Sequence, residues 1–250
     1  MTILALVLTL VFVAFAILLS LWQRIGLEKD ILIGTVRAAI QLIAVGYVLH
    51  TIFRLKSWIL IILMLALMIT VATLNARKKG KGLPGVGWRI AAAITSTEIL
   101  TMGLLLSLRI IHATPQYIIP ISGMIIGNGM VVSGLFFNRL KSELETRREE
   151  INVYLALGAT SKQAIYTVMR NTIKASMLPT IDGMKTVGLV QLPGMMTGMI
   201  VAGANPIEAV RYQILIMYSF TSAAAITAIL LGMLTHGILF TKAHQMIDYD

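Results

Sequence analysis

No cysteine occurs among the 250 residues. That excludes disulfides and thiolate metal sites but leaves the compartment open, since most bacterial inner-membrane proteins need no disulfide. The recurrent nucleotide and catalytic signatures are also missing: there is no P-loop, G-x-G-x-x-G, H-E-x-x-H or G-x-S-x-G. The chain is therefore expected to bind no cofactor of its own and not to be an enzyme. Its four histidines, His50, His112, His236 and His244, are scattered without ligand spacing. No linker-like or low-complexity stretch interrupts the chain, so one domain over 1–250 is expected. Charge is scarce, at 13% of residues against 57% hydrophobic, with a mean hydropathy of +0.85.

A soluble domain of this size does not need so much apolar surface. At about 20 apolar residues per transmembrane helix, the sequence reads as an all-α integral membrane protein of seven spans, at 3–22, 31–53, 57–76, 90–111, 117–137, 177–204 and 212–240. The first run has no basic residue ahead of it and is too long for a cleaved signal peptide, so it is kept as a span. With the N-terminus outside and the C-terminus inside, fifteen Lys and Arg fall on the inner side and four on the outer side, Arg54, Lys56 and Arg211 between spans and Arg109 at the outer end of the fourth, the bias that sets orientation. The net charge of +10 then reflects inner loops facing anionic headgroups and gives no reason to expect nucleic acid.

The few polar groups inside spans are the candidates for function. Arg37 and Gln41 share a face at i, i+4, and Arg37 either snorkels to the headgroups or lines the bundle interior. Glu98 sits near the middle of the fourth span; it is either a functional carboxylate or a buried partner for Arg37 or Lys185. In the fifth span Gly123 and Gly127 offer a close-packing face, and Gly127-Asn128-Gly129 is expected to loosen the helix. The sixth carries Asp182 and Lys185 at i, i+3 and is interrupted at Pro193-Gly194, next to Met195 and Met196. Hard metal ions favour oxygen, so Glu98, Asp182 and Asn128 are the expected metal ligands. Arg37, Gln41, Lys185, Pro193, Gly194, Met195 and Met196 are assigned to the pathway. Methionines at such spacing otherwise serve as adaptable packing.

The segment from Arg147 to Gly198 passes from charged sequence into a span. Ile151, Tyr154 and Leu155, then Ile165, Val168, Met169, Thr172 and Ile173, recur at helical spacing. Between them Gly158 suits a left-handed helix stop, and Thr160 with Gln163 forms a capping box. A cytoplasmic helix, turn and second helix joined to a span is how an ATP-binding cassette (ABC) permease receives force, and Leu157, Gly158, Ala159, Thr160, Lys162 and Gln163 are the expected coupling residues. The E-A-A, three residues, Gly, nine residues, I-x-L-P pattern of many such permeases is matched in part. Ala156-Leu157-Gly158-Ala159 and Val168 fit, whereas Asn152, Tyr154 and Arg170-Asn171 depart from it.

A longer series resembles the FetB-type permeases, from about Leu27 to about Gln213. It comprises Leu27-Glu28-Lys29-Asp30-Ile31, Arg37-Ala38, Gln41-Leu42, Val45-Gly46-Tyr47, Ile119-Pro120-Ile121, Gly127-Asn128, Leu157-Gly158-Ala159-Thr160 and Lys185-Thr186-Val187-Gly188-Leu189-Val190 with Leu192-Pro193-Gly194-Met195-Met196. The resemblance implies the permease half of an ATP-driven exporter of iron or a related metal, in the bacterial inner membrane. It also implies a homodimer served by a separate ATPase subunit that binds ATP and Mg. The alternative is an ion-coupled secondary transporter using Glu98 and Asp182. An intramembrane enzyme built on the same two carboxylates lacks an accompanying nucleophile or metal cluster.

Overall fold

The computed structural model describes residues 7–55 and 57–241; residues 3–6 of the first expected span, Lys56 and His244 lie outside them. Among the described residues every regular element is helical. They fall into two compact units, one before Trp58 and one from Trp58 onward.

The first unit is a helical hairpin of α1 (Leu10–Trp22) and α2 (Glu28–Leu55). The turn needs a left-handed residue, and Gly26 takes φ +80°, which costs glycine nothing. Ser20 holds the hairpin closed: its hydroxyl donates to Glu28 Oε1 at 2.7 Å and accepts from the Leu27 N–H at 3.2 Å. Arg37 and Gln41 are both exposed on α2.

The second unit contains α3 (Trp58–Arg77), α4 (Val86–Ser107), α5 (Pro115–Thr146), α6 (Arg148–Ala156), α7 (Ser161–Ala164), α8 (Tyr166–Thr186), α9 (Gly194–Val201) and α10 (Pro206–Thr235). Pro115 and Pro206 start α5 and α10 where a missing N–H is harmless. Asn205 caps α10 by accepting from the Ile207 N–H at 2.9 Å. Helix α5 is central and packs on α3, α4, α8 and α10, while α10 also packs on α4, α8 and α9. The start of α4 is tied to the end of α10 by Arg89, which donates to the Leu234, Pro84 and Gly85 carbonyls at 2.8–3.0 Å.

Five stretches are long and apolar enough to cross a membrane: Glu28–Leu55, Trp58–Gly80, Val86–Ser107, Pro115–Thr146 and Pro206–Ile238; Leu10–Trp22 is a shorter apolar helix. These coincide with six of the expected spans. The sixth, 177–204, differs. Helix α8 begins eleven residues earlier than that span, at Tyr166, and ends at Thr186, and eight-residue α9 starts only at Gly194. The reason is local. Val187 is extended (ψ 135°), Gly188 takes φ +86°, and Pro193 keeps Leu192 from helical geometry.

At the end of the second unit that carries the Gly158 turn, Phe136, Phe137, Leu140, Leu144, Ile151, Ile165 and Val168 are at most 1% exposed. Burying such a side chain away from water stabilises by about 1.5–3 kcal/mol. Along the apolar lengths the surroundings are as oily as the core, so close packing is what holds helices together.

Candidate functional site

The break between α8 and α9 makes the site. After Thr186 the chain forms a tight loop in which the Gly188 N–H donates to the Gln191 carbonyl at 2.9 Å and the Val190 N–H to the Thr186 carbonyl at 3.1 Å. Three bonds fix the height of the break against its neighbours. Thr180 donates to Asn128 Oδ1 at 3.3 Å, Asn128 Nδ2 donates to the Phe220 carbonyl at 3.0 Å, and Thr221 donates to Met184 Sδ at 3.3 Å. Asn128 thus lets α5, α8 and α10 share one hydrogen-bonded layer beside the broken helix.

Beside that layer lies a cavity of about 480 Å³, lined by Met124, Asn128, Thr180, Gln191, Pro193, Gly194, Met195, Gln213 and Met217 among others. A second, of about 370 Å³, shares Pro193, Gln213 and Met217 with the first and adds Met184 and Met196. Gln213 is buried and its Oε1 has no hydrogen-bond partner. No ionised side chain lines either cavity. The chemistry offered is amide oxygen, hydroxyl and thioether, at the kind of discontinuous helix that carries solute sites in membrane transporters.

Of the oxygen ligands expected from the sequence, Asn128 lines this cavity and Glu98 and Asp182 do not. Asp182 is exposed and receives Lys185 Nζ at 3.0 Å. Glu98 is 4% exposed, and neither carboxyl oxygen makes a hydrogen bond. Its polar neighbour Ser122 is buried with it, as is Thr101 one turn along, and their hydroxyls are also unpartnered. One residue before it, Thr97 bonds Thr227 across to α10 at 2.9 Å. No Lys or Arg occurs within 58–76, 115–138 or 212–235, the apolar lengths of the helices packed on α4. The α4 bundle therefore offers Glu98 no cation, and Lys185 is engaged elsewhere. A charge at helix centre costs about 2.5–3.5 kcal/mol on insertion scales, so the neutral isostere Glu98→Gln is expected to leave the thermal unfolding temperature undiminished. A clear drop in a differential scanning measurement would reveal a cation partner.

The turn at 156–163 follows the sequence reading closely. Helix α6 stops at Ala156, Gly158 takes φ +87°, and the Thr160 hydroxyl and Gln163 form the full capping box, the Thr160 N–H donating to Gln163 Oε1 at 2.9 Å. Ile151, Ile165, Val168 and Thr172 are buried, as their spacing predicts, whereas Tyr154, on the same stripe as Ile151, is exposed. The second helix of the motif does not end before the span, however. After a one-residue irregularity at Ile165, α8 runs unbroken to Thr186. At the tip, Leu157 is 80% exposed, with Val153, Tyr154, Tyr166 and Lys162 exposed around it.

Sequence reasoning missed two features. Gln213, an amide in an apolar span, carried the signal that would have found it. Glu143 is buried and bonded to Arg139, Arg147 and Asn171; the i, i+4, i+8 series Arg139, Glu143, Arg147 was its trace. Among the described residues no group of three His, Cys, Asp or Glu converges.

The comparisons with known proteins fit this arrangement. The chain is 51% identical over 243 residues to the UPF0014 membrane protein YjkA of Bacillus subtilis (strain 168), covering 97% of each chain. It is 40% identical over 243 residues, 97% of this chain and 94% of the relative, to a protein of Escherichia coli (strain K12) named "Probable iron export permease protein FetB". Protein ALUMINUM SENSITIVE 3 of Arabidopsis thaliana is 36% identical over 95% of this chain and 87% of its own. No solved structure gives a significant match. Residues 3–240 match the uncharacterised protein family UPF0014, and the chain, an integral membrane protein, belongs to that family.

Proposed function

We propose that this chain is the permease subunit of an ATP-driven transporter that exports iron or a related metal from the cytoplasm, with hydrolysis of ATP-Mg in a separate ABC-type subunit. One observation carries the reading: the capped turn with exposed Leu157 at its tip runs into α8, the same continuous helix that lines the cavity through Pro179, Thr180 and Gly183. A push on the turn is transmitted along that helix to the break. The apolar tip has the chemistry of a helix seated in a protein groove. Residues Leu157, Gly158, Ala159, Thr160, Lys162 and Gln163 make up this coupling element.

In this reading the chain is one permease domain in a bacterial inner membrane. Its seven crossings comprise α1 to α5, the broken α8–α9 pair and α10, with the N-terminus outside. The relative named an iron export permease supports the substrate class and direction. Arg37 and Gln41 on α2 belong to the pathway in this reading, and two copies of the permease make up the assembly. Asn128 at the cavity and Glu98 in the bundle are the oxygen groups offered to a metal on its way.

The decisive experiment co-expresses the chain with its ATPase, purifies the complex and measures ATP hydrolysis in vesicles with and without metal. Metal-stimulated hydrolysis is expected; an ATPase that neither co-purifies nor responds would overturn the reading. Orientation is tested separately. A cysteine at Thr114 is expected to react with an impermeant reagent from outside and one at Thr146 not to, and the reverse pattern would invert the topology. The ion-coupled alternative loses its second carboxylate, because Asp182 is exposed and paired with Lys185.

A further inference from the structure

We infer that His112, Tyr117, Tyr212 and Glu208 form a release site for the exported metal, in which imidazole, phenolate and carboxylate hold iron(III). The inference rests on the permease reading and adds a second station to its path. The four residues lie at the start of α5 and α10 and in the loop before α5, the end of the second unit that is outside in the proposed orientation. Ile111 is 5% exposed in an apolar cluster with Leu105, Ile121 and Ala223, and Tyr117 packs against that cluster. This anchor sets His112 at the rim. The His112 carbonyl accepts from the Thr114 N–H at 2.8 Å, and its ring meets that of Tyr117 edge-on, the centroids 5.6 Å apart. Tyr117 in turn stacks on Tyr212 at 6.2 Å, and the two phenol oxygens are 3.5 Å apart. Glu208, one turn before Tyr212 on the same face of α10, interacts with it electrostatically.

Tyrosines near a membrane surface ordinarily send their hydroxyls to water or headgroups. These two aim theirs at each other. Two oxygens held cis by an octahedral ion at about 2.1 Å lie about 3 Å apart, so the pair closes on a metal by moving about half an ångström. Tyr117 is in the first turn of α5 and Glu208 in the first turn of α10, where the helix N-termini favour the anionic forms that ligate. Two phenolates and one carboxylate carry three negative charges, which match a trivalent ion, and hard oxygen with imidazole is a donor set for iron. Binding breaks each phenol O–H, forms an iron–oxygen bond and passes the proton to water; no electron moves. The cluster also adjoins the cavity along both helices. Tyr117 precedes the cavity-lining Met124 by seven residues, about 10 Å of helix, and Tyr212 directly precedes Gln213. The cavity lining has no carboxylate; this cluster supplies one.

The test uses the full-length permease purified in detergent, without the ATPase, so that a failure of ATP coupling leaves its result intact. Iron(III), supplied as its nitrilotriacetate chelate, is titrated against wild type, Y117F/Y212F, H112A/E208Q and, as a control on the first unit, Y47F. Tyrosine to phenylalanine keeps the ring and removes only the hydroxyl, and unfolding profiles confirm that the variants are folded. Wild type and Y47F are expected to bind saturably and to develop the visible phenolate-to-iron(III) charge-transfer band. Y117F/Y212F is expected to lose the band, with affinity reduced by about tenfold or more, and H112A/E208Q to keep the band at lower affinity. A wild type without the band at saturating iron(III) would overturn the site whatever the variants do. Unchanged affinity in either double variant would overturn it too, and iron(II) binding more tightly than iron(III) in an anaerobic titration would sink the trivalent assignment. Metal-stimulated hydrolysis in the complex together with no band in the permease would remove this site and leave the permease reading standing.

Discussion

Replacing Gly158 with Val is expected to cut transport and metal-stimulated ATP hydrolysis by about tenfold while the protein still inserts and accumulates normally. The space at Gly158 is open, with no atom within 4 Å of an added Cβ, so crowding is not the cause. The backbone is: φ is +87°, where an L-residue pays about 1–2 kcal/mol and a β-branched one is a true outlier. A strain of about 1.4 kcal/mol is worth a factor of ten in population, and it falls on the residue that sets the direction of Leu157 and the capping box, the element the proposed function assigns to ATPase coupling. Gly158→Asn, which tolerates left-handed geometry, is expected to keep most activity. Val and Asn variants that pump equally well would show that the turn is not the coupling element.

Removing Glu143 is expected to give the largest loss of stability. The carboxylate is buried and accepts from Arg139 on its own helix, from Arg147 just past the end of that helix at 3.1 Å, and from Asn171 on α8 at 3.3 Å. Arg147 also donates to Glu150 at 2.8 Å, so the cluster ties α5, α6 and α8 together behind the turn. Hydrogen bonds to a charged group contribute about 1.5–3 kcal/mol each, but both arginines are partly exposed and solvent recovers much of that. Glu143→Leu is thus expected to cost about 2 kcal/mol in all, lowering the unfolding temperature by about 5 °C, with a matching loss of coupling as the start of α8 comes loose. Glu143→Gln, which still accepts from Asn171, should fall between. Scanning calorimetry or a thermal shift assay on the three proteins checks the order, and a Leu variant as stable as wild type would remove Glu143 from its tying role.

The sequence by itself determined the elements whose cause is local. Apolar runs bounded by charge and proline place five long helices, and Gly158 with Thr160 and Gln163 places the turn, because helix stops and capping boxes are set by residues within four positions of each other. Pro193-Gly194 likewise announced a break in the sixth span. Its true extent, from Val187 to Pro193, depends also on Gly188 taking φ +86°, and one glycine among twenty does not declare its φ. Membership of a site was beyond local reading. Glu98, Asp182 and Asn128 look alike as polar residues in apolar sequence, yet only Asn128 lines the cavity. One pair was settled within a single turn of helix, Asp182 with Lys185. The others were settled by helices that are distant in sequence: Asn128 meets Phe220, ninety-two residues away, and Thr97 meets Thr227 across one hundred and thirty. Inside lipid, where every helix is apolar all round, packing and the few interhelical hydrogen bonds choose the facing sides. Only the assembled bundle could therefore gather Met124, Met195, Met217 and Gln213 around one space.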